Sequence, residues 1–343
     1  MKRLIITTAV ILQVALAFAQ LNKQNLNLSV YYDNNYSFTP SAPMEAAFST
    51  DSVVFQTALS VFENEWVYKN MRIYPIVAND NYKEESEKNK NYLSLKEALE
   101  KDAIEIKEVG VGGTVNTLKL SNLGQDTIFI MAGEVVLGGK QDRALGQALI
   151  LAPGDKDVSV SVFCVEHGRW RQGADGTQFN GYYGFAGNQV RKKVVIDKNQ
   201  SEVWDKVSEA HNKADVSSST QSFKDIQKSE DYTNKLAEYK NHFLPKLKEV
   251  KNLLGFVVVS GDKILGMEAF ATSEMLNKQI NKLIESYATE AIQEGSEITV
   301  TTQQVDEFMK KALDETEQDK IIEKNGSELK ANGKKLHISV LEK

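Results

Sequence analysis

Two stretches hold most of the side chains that could do chemistry: Gly133–Arg143, GEVVLGGKQDR, and Cys164–Arg171, CVEHGRWR. In each, an apolar run that reads as a buried strand turns abruptly into charge. Glu134 follows the run TIFIMAG at Thr127–Gly133, which is apolar on both faces. A carboxylate there is costly to bury unless a cation or several donors meet it. Lys140, Arg143, Arg169 and Arg171 are the nearest cations in sequence. Along Val158–His167, strand alternation puts Val158, Val160, Val162, Cys164 and Glu166 on one face. Glu166 thus ends an apolar face, as Glu134 does.

These residue types admit more than one chemistry. Glu134 and Glu166 can serve as a general acid and base, each tuned by burial and by neighbouring cations. They can equally be the anionic halves of structural ion pairs. Gly138-Gly139 beside Lys140 can cradle a phosphate on backbone N–H groups. The run lacks the Walker spacing and no helix pattern follows it, so a tight turn or bulge competes with that reading. Lys140, Arg143 and Arg169 can meet negative charge, Gln141 can add hydrogen bonds, and Trp170 can stack on a planar ring. A Trp plugging the core between solvated arginines is the bland alternative. A metal site from Glu134, Glu166 and His167 is disfavoured, because neighbouring strand residues point to opposite faces. Cys164 among valines reads as an inert buried thiol. His211, His242 and His337 lack ligand-like spacing, and no residue pattern names a cofactor.

Three classes of function follow. One is a module that binds a small anionic, nucleotide-like ligand through Lys140, Gln141, Arg143, Arg169 and Trp170. Another is a hydrolase with Glu134 and Glu166 as acid and base. The third is a structural or interaction protein whose motifs only fasten the fold. Binding is preferred, since no complete catalytic constellation can be read.

The elements around these motifs read mostly as paired strands followed by helices. Met71–Val77 is a strand that Pro75 favours at an edge. Ser94-Leu-Lys-Glu97 is a capping box opening a short helix through Glu100, and Ile104–Lys107 alternates as a strand. Val115–Leu120 and Thr127–Ala132 flank Asn122–Asp126 as a hairpin; Leu145–Leu151 and Val158–Glu166 add strands. Ser201 caps a helix with Val203, Trp204, Val207, Ala210 and Ala214 inside. A second helical stretch over Asp231–Leu254 is interrupted at Pro245. Gly261-Asp262 reads as a hairpin turn between Gly255–Ser260 and Lys263–Phe270. Thr272 or Ser273 caps the strongest helix, whose stripe runs Leu276, Ile280, Leu283, Ile284, Tyr287, Ala288 and Ala291 before Gly295. A helix at Val305–Leu313, a charged linker and a strand at His337–Leu341 complete the chain. The expectation is α+β, mainly antiparallel sheet of sandwich or barrel type, with helices grouped in the C-terminal half.

Lys2-Arg3, the apolar run Leu4–Leu16 and Ala17-Phe18-Ala19 before Gln20 form a secretory signal. It is too short to span a membrane, and no later stretch is long enough to be a transmembrane segment. The expected chain is therefore exported, periplasmic or secreted, with 343 − 19 = 324 residues. Removing Lys2 and Arg3 takes the net charge from −6 to −8. Acidity of that order argues against nucleic acid, whose phosphates need a basic face. A single cysteine excludes an intrachain disulfide. The organisation expected is a signal at 1–19, an N-terminal extension at 20–70, a main domain at 71–294 and a C-terminal helix and strand extension at 295–343.

GEVVLGGKQDR, CVEHGRWR, Gln200-Ser-Glu-Val-Trp204 and GFVVVSGDKILGMEAFATSEM together resemble one bacterial family of uncharacterised function. It is the ADP-ribosylglycohydrolase- and rhodanese-phosphatase-superfamily-associated protein domain family, and the resemblance spans about Met71 to Glu294. It implies signature positions at Glu134, Gly138, Gly139, Lys140, Gln141, Arg143, Cys164, Glu166, Gly168, Arg169 and Trp170. His167 stands where the pattern more often has Gln. The resemblance implies an association with ADP-ribose and phosphate chemistry, not an activity.

Overall fold

The computed structural model describes residues 66–78, 92–110, 115–170, 178–314 and 316–342, with the strand at 53–55. The secretory signal at 1–19, most of the N-terminal extension at 20–70, and Arg171 lie outside those residues. The chain opens with β1 (Val53–Phe55), β2 (Val67–Tyr68), β3 (Met71–Ala78), β4 (Tyr92–Ser94) and helix α1 (Leu95–Glu100). Then come β5 (Ile104–Glu108), β6 (Thr117–Asn122), β7 (Thr127–Ile130) and β8 (Glu134–Gly138). They are followed by β9 (Arg143–Leu145), β10 (Leu149–Leu151), β11 (Val158–Cys164) and β12 (Phe179–Phe185). Helix α2 (Asn188–Lys192) runs into a π turn, and α3 (Gln200–Lys213) and α4 (Glu230–Glu249) precede the pair β13 (Leu253–Ser260) and β14 (Lys263–Phe270). Last are α5 (Ser273–Glu294), α6 (Thr302–Leu313), α7 (Gln318–Asn325), β15 (Gly326–Ala331) and β16 (Lys334–Leu341).

The described strands form three sheets, and the class is α+β as expected. The central sheet runs β1-β3-β13-β14-β16-β15, with β2 also on β3. A six-stranded sheet in the order β12-β8-β9-β11-β6-β5 curls into a half-barrel, and a bridge between Lys107 and Gln178 links its two ends. A small sheet, β10-β7-β4, contains a parallel pair, β4 with β7. Inside the half-barrel, Ile106, Leu118, Leu120, Val136, Val162 and Phe179 pack with Leu95 and Ala98 of α1. A larger core lies between the central sheet and α5, where the whole expected stripe from Leu276 to Ala291 is buried.

Several local expectations hold for the reasons given. Ser94 and Glu97 close a reciprocal capping box, Thr272 caps α5 through the Met275 N–H, and β13 and β14 pair across Gly261-Asp262. Strand β3 is not the edge that Pro75 suggested, since β13 flanks it on one side and β1 and β2 on the other. Pro75 sits where β1 and β2 leave a gap, so its missing N–H interrupts no ladder there.

Others are corrected. The hairpin at Asn122–Asp126 does not form: β6 already has β5 and β11 on its two edges, and β7 crosses into the small sheet. The Asn122 amide fastens that crossing, donating to the carbonyls of Asp126 (2.9 Å) and Leu151 (3.0 Å). The run Leu145–Leu151 is split in two. Gly146 marks the break, where an added Cβ would lie 2.8 Å from Ser161 Oγ. Asn199, not Ser201, caps α3, its Oδ1 accepting the N–H groups of Ser201 and Glu202. Helix α4 runs through Pro245, because Tyr232, Leu236, Tyr239, Phe243 and Leu247 bury one face on both sides of it. The stretch read as a charged linker holds α7 and β15. Residues set apart as a C-terminal extension thus supply two strands of the central sheet, β16 lying between β14 and β15.

Candidate functional site

Strand β8 and its hairpin partner β9 carry the first motif, with Val136 opposite Arg143. Gly138 (φ 133°) and Gly139 (φ 50°) make the turn between them. Gly139 is closely fitted, since an added Cβ would lie 2.4 Å from the Phe179 ring. The N–H groups a phosphate cradle needs are already taken. Gly138 donates to Asp142 Oδ1 (3.0 Å), Gly139 to the Gln178 carbonyl (2.9 Å) and Lys140 to Glu108 Oε1 (3.1 Å). The turn is structural, and no anion nest is open there.

The second motif meets this turn. Arg169 grips Glu166 with two bonds, Nε to Oε1 at 2.9 Å and Nη2 to Oε2 at 2.6 Å. The same guanidinium donates to the carbonyls of Gly139 (2.7 Å) and Gly138 (3.2 Å) and lies 3.4 Å from Asp142 Oδ1. The Glu166 hydrogen bond raises the Arg169 pKa further above its usual value, against a smaller effect of burial. Glu166 also accepts the Asp142 N–H (3.0 Å), and Asp142 in turn takes the Ser222 hydroxyl (2.8 Å) and Lys224 (3.2 Å). Arg143 is fully enclosed, its Nη1 on the Gln141 carbonyl (2.7 Å) and its Nη2 3.5 Å from Glu108 Oε1. Gln141 donates to the His167 carbonyl (3.2 Å). Trp170 stays 47 % exposed, with Lys140 Nζ 5.4 Å and Arg143 Cζ 5.6 Å from its ring centroid.

Glu134 stands apart from this cluster. It is wholly buried, and its carboxyl accepts the Met131 N–H (2.7 Å), the Tyr182 hydroxyl (2.8 Å) and the Gln279 amide (3.2 Å). Burial dominates and pushes its pKa up to about 7, although those three donors and Arg191 oppose the shift. Among the described residues none bonds both Glu134 and Glu166. Lys140, Gln141, Arg143, Glu166, Arg169 and Trp170 are therefore brought together, and Glu134 is not among them. Burial likewise drives the Cys164 thiol up to about 11, as an inert cysteine requires. The His167 ring packs against Trp204, their centroids 4.4 Å apart. Among the described residues no group of three or more His, Cys, Asp or Glu side chains could hold a metal.

A family model, described as the ARG and Rhodanese-Phosphatase-superfamily-associated Protein domain, matches residues 60–342. The chain belongs to that family. No curated protein and no solved structure matches it. The family match takes in β15 and β16, which fits their place in the central sheet. Within this family member, Arg169 ties the charged end of one motif to the glycine turn of the other.

Two features escaped sequence reading. Glu108 and Asp142 complete the network around Arg143 and Arg169. Glu108 was detectable, because it ends the inward face of Ile104 and Ile106 as Glu166 ends its own. The other is a second buried cluster. Glu268 Oε1 accepts Arg191 Nη2 and the Tyr287 hydroxyl, each at 2.8 Å, and Oε2 lies 2.8 Å from His337 Nε2. Burial opposes the Glu268 charge, yet Arg191 and His337 hold its pKa down at about 2. The signal was again an acid inside an apolar strand, LGMEAF. Arg191 gave none, since Arg191-Lys-Lys193 reads as a solvated run.

Proposed function

We propose that the protein is exported and that the Lys140–Trp170 corner of the half-barrel binds a small anionic ligand bearing a planar ring, nucleotide-like in character. The observation that carries this reading is Trp170, an exposed indole beside the Lys140 ammonium and above the enclosed Arg143 guanidinium. An indole flanked by cations attracts a flat, electron-rich, negatively charged guest. Lys140 and Trp170 touch the ligand. Arg143 supplies positive potential from beneath, while Gln141 and Arg169 hold the two motif loops in register.

Hydrolysis by Glu134 and Glu166 is the second reading, favoured by the Glu134 pKa of about 7, the range a general acid needs. Binding is preferred because Glu134 is enclosed and both Glu166 oxygens are held by Arg169. Calorimetric titration with ADP-ribose, nucleotides and sugar phosphates tests the choice. Trp170→Ala and Lys140→Ala should each weaken binding about tenfold or more, in line with ring stacking worth about 1–3 kcal/mol. No heat with any of these ligands, or full affinity in Trp170→Ala, would sink it. Export rests on the first nineteen residues. It predicts a mature chain beginning at Gln20, which N-terminal sequencing of the exported fraction reads directly.

A further inference from the structure

At the junction where the half-barrel meets α5, away from the Lys140–Trp170 corner, Glu134 lies with a hydrogen-bond set that can run in two directions. The Tyr182 hydroxyl is 2.8 Å from Glu134 Oε1 and 3.5 Å from Gln279 Oε1, so it has two acceptors within reach. Beside them, Gly133 packs on Arg191 so closely that an added Cβ would lie 3.0 Å from its Cγ and 3.1 Å from its Nε. Arg191 gives Nη2 to Glu268, but its buried Nε and Nη1 have no hydrogen-bond partner among the described residues. A cation with idle N–H groups thus packs on the residue before a buried acid and acts on that acid's charge, while its bonded side meets a second acid.

We propose that Glu134 is a proton-operated latch across this junction, with two hydrogen-bonded states. In the neutral state the Glu134 O–H donates to the Tyr182 oxygen, and Tyr182 turns its own proton to Gln279 Oε1. In the ionised state the proton has left to bulk water, and Tyr182 and Gln279 both donate to the carboxylate. The idle N–H groups of Arg191 are then drawn toward Glu134, loosening its hold on Glu268. The two acids compete for one guanidinium, which makes the arrangement bistable rather than graded.

The groups facing Glu134 come from three elements: Tyr182 from β12, Gln279 from α5 and Arg191 from α2. Behind the guanidinium stand Glu268 on β14, Tyr287 on α5 and His337 on β16. Glu285 on α5 acts on Tyr182 and is itself paired with Lys240 and Lys282. Arg143 on neighbouring β9 is engaged with Glu108. Burial raises the Glu134 pKa from 4.5 to about 7, so both states are populated near neutrality. With the folded value above the unfolded one, the stabilisation is complete below about pH 4.5 and is lost as pH rises through about 7.

Thermal unfolding of the full chain at about pH 5.5 and about pH 8.5 tests the titration. The wild-type midpoint should fall by roughly 5 °C or more across that interval beyond any fall in Glu134→Gln, which keeps a similar shape without titrating. Equal falls in the two proteins overturn the proposal. Should Glu134→Gln not fold, infrared spectra of the wild type decide. A protonated-carboxyl band must persist above about pH 6 and fade through about 7; its loss by about pH 5 overturns the latch. The motion is read separately from the Arg191 Nε–H resonance, assigned by its loss in Arg191→Lys. It should shift with the same midpoint, and a signal constant over this range leaves Glu134 a titrating core acid and no latch.

Discussion

Arg169→Met is expected to lower folding stability by about 3–5 kcal/mol, the usual penalty for removing one partner of a buried ion pair. The guanidinium serves two carboxylates and two carbonyls at once. Without it Glu166 keeps only the Asp142 N–H, and the carbonyls of Gly138 and Gly139 lose their charged donor. Exposed ion pairs are worth far less. Here both Glu166 and Asp142 are almost fully enclosed, so water cannot replace the lost contacts. Urea denaturation reads the effect as a fall in the midpoint at unchanged slope. Adding Glu166→Gln to Arg169→Met should recover part of the loss, because the abandoned charge goes with it. A loss under about 1 kcal/mol would mean that Arg169 is a solvated surface cation and does not bind the motifs together.

Arg191→Met should cost a similar amount, about 3–5 kcal/mol, and should also change the acid limb of the stability curve. In the wild type Glu268 is held at about 2 against an ordinary 4.5. A depressed carboxylate contributes stability that is present above about pH 4.5 and is lost as pH falls through about 2. With the guanidinium gone, Glu268 retains His337 and Tyr287 but no permanent cation, so it protonates at higher pH. The variant should therefore be weaker at neutral pH and show a flatter decline between about pH 4.5 and about pH 2. Acid titrations followed by circular dichroism measure both. Parallel limbs in wild type and variant would mean that something other than Arg191 keeps Glu268 ionised.

Much of the architecture was legible wherever short-range rules decide it. The capping box at Ser94 and Glu97, the turn at Gly261-Asp262 and the buried stripe of α5 each depend on residues a few positions apart. The acids were equally visible, since a run apolar on both faces flags Glu134 and strand alternation flags Glu166 as buried. Strand partnership was not. Asn122–Asp126 has the form of a hairpin turn, yet β6 found both its edges occupied by strands from elsewhere. Pro245 likewise breaks a helix by local rules, but the packing of Tyr239, Phe243 and Leu247 outweighs one missing hydrogen bond.

What the sequence determined by itself is the α+β class, the capped and patterned elements, and the fact that several carboxylates must be buried with company. Which company each one keeps was left to the tertiary structure. Glu166 meets Arg169, three residues away, but Glu268 meets Arg191 across two separate elements, and Glu134 has no cation in hydrogen-bond contact, only the Met131 N–H, Tyr182 and Gln279. The physical reason is that burial of a charge is a local property of strand period. Its neutralisation depends on which distant faces are pressed against it, and only the packed chain specifies those.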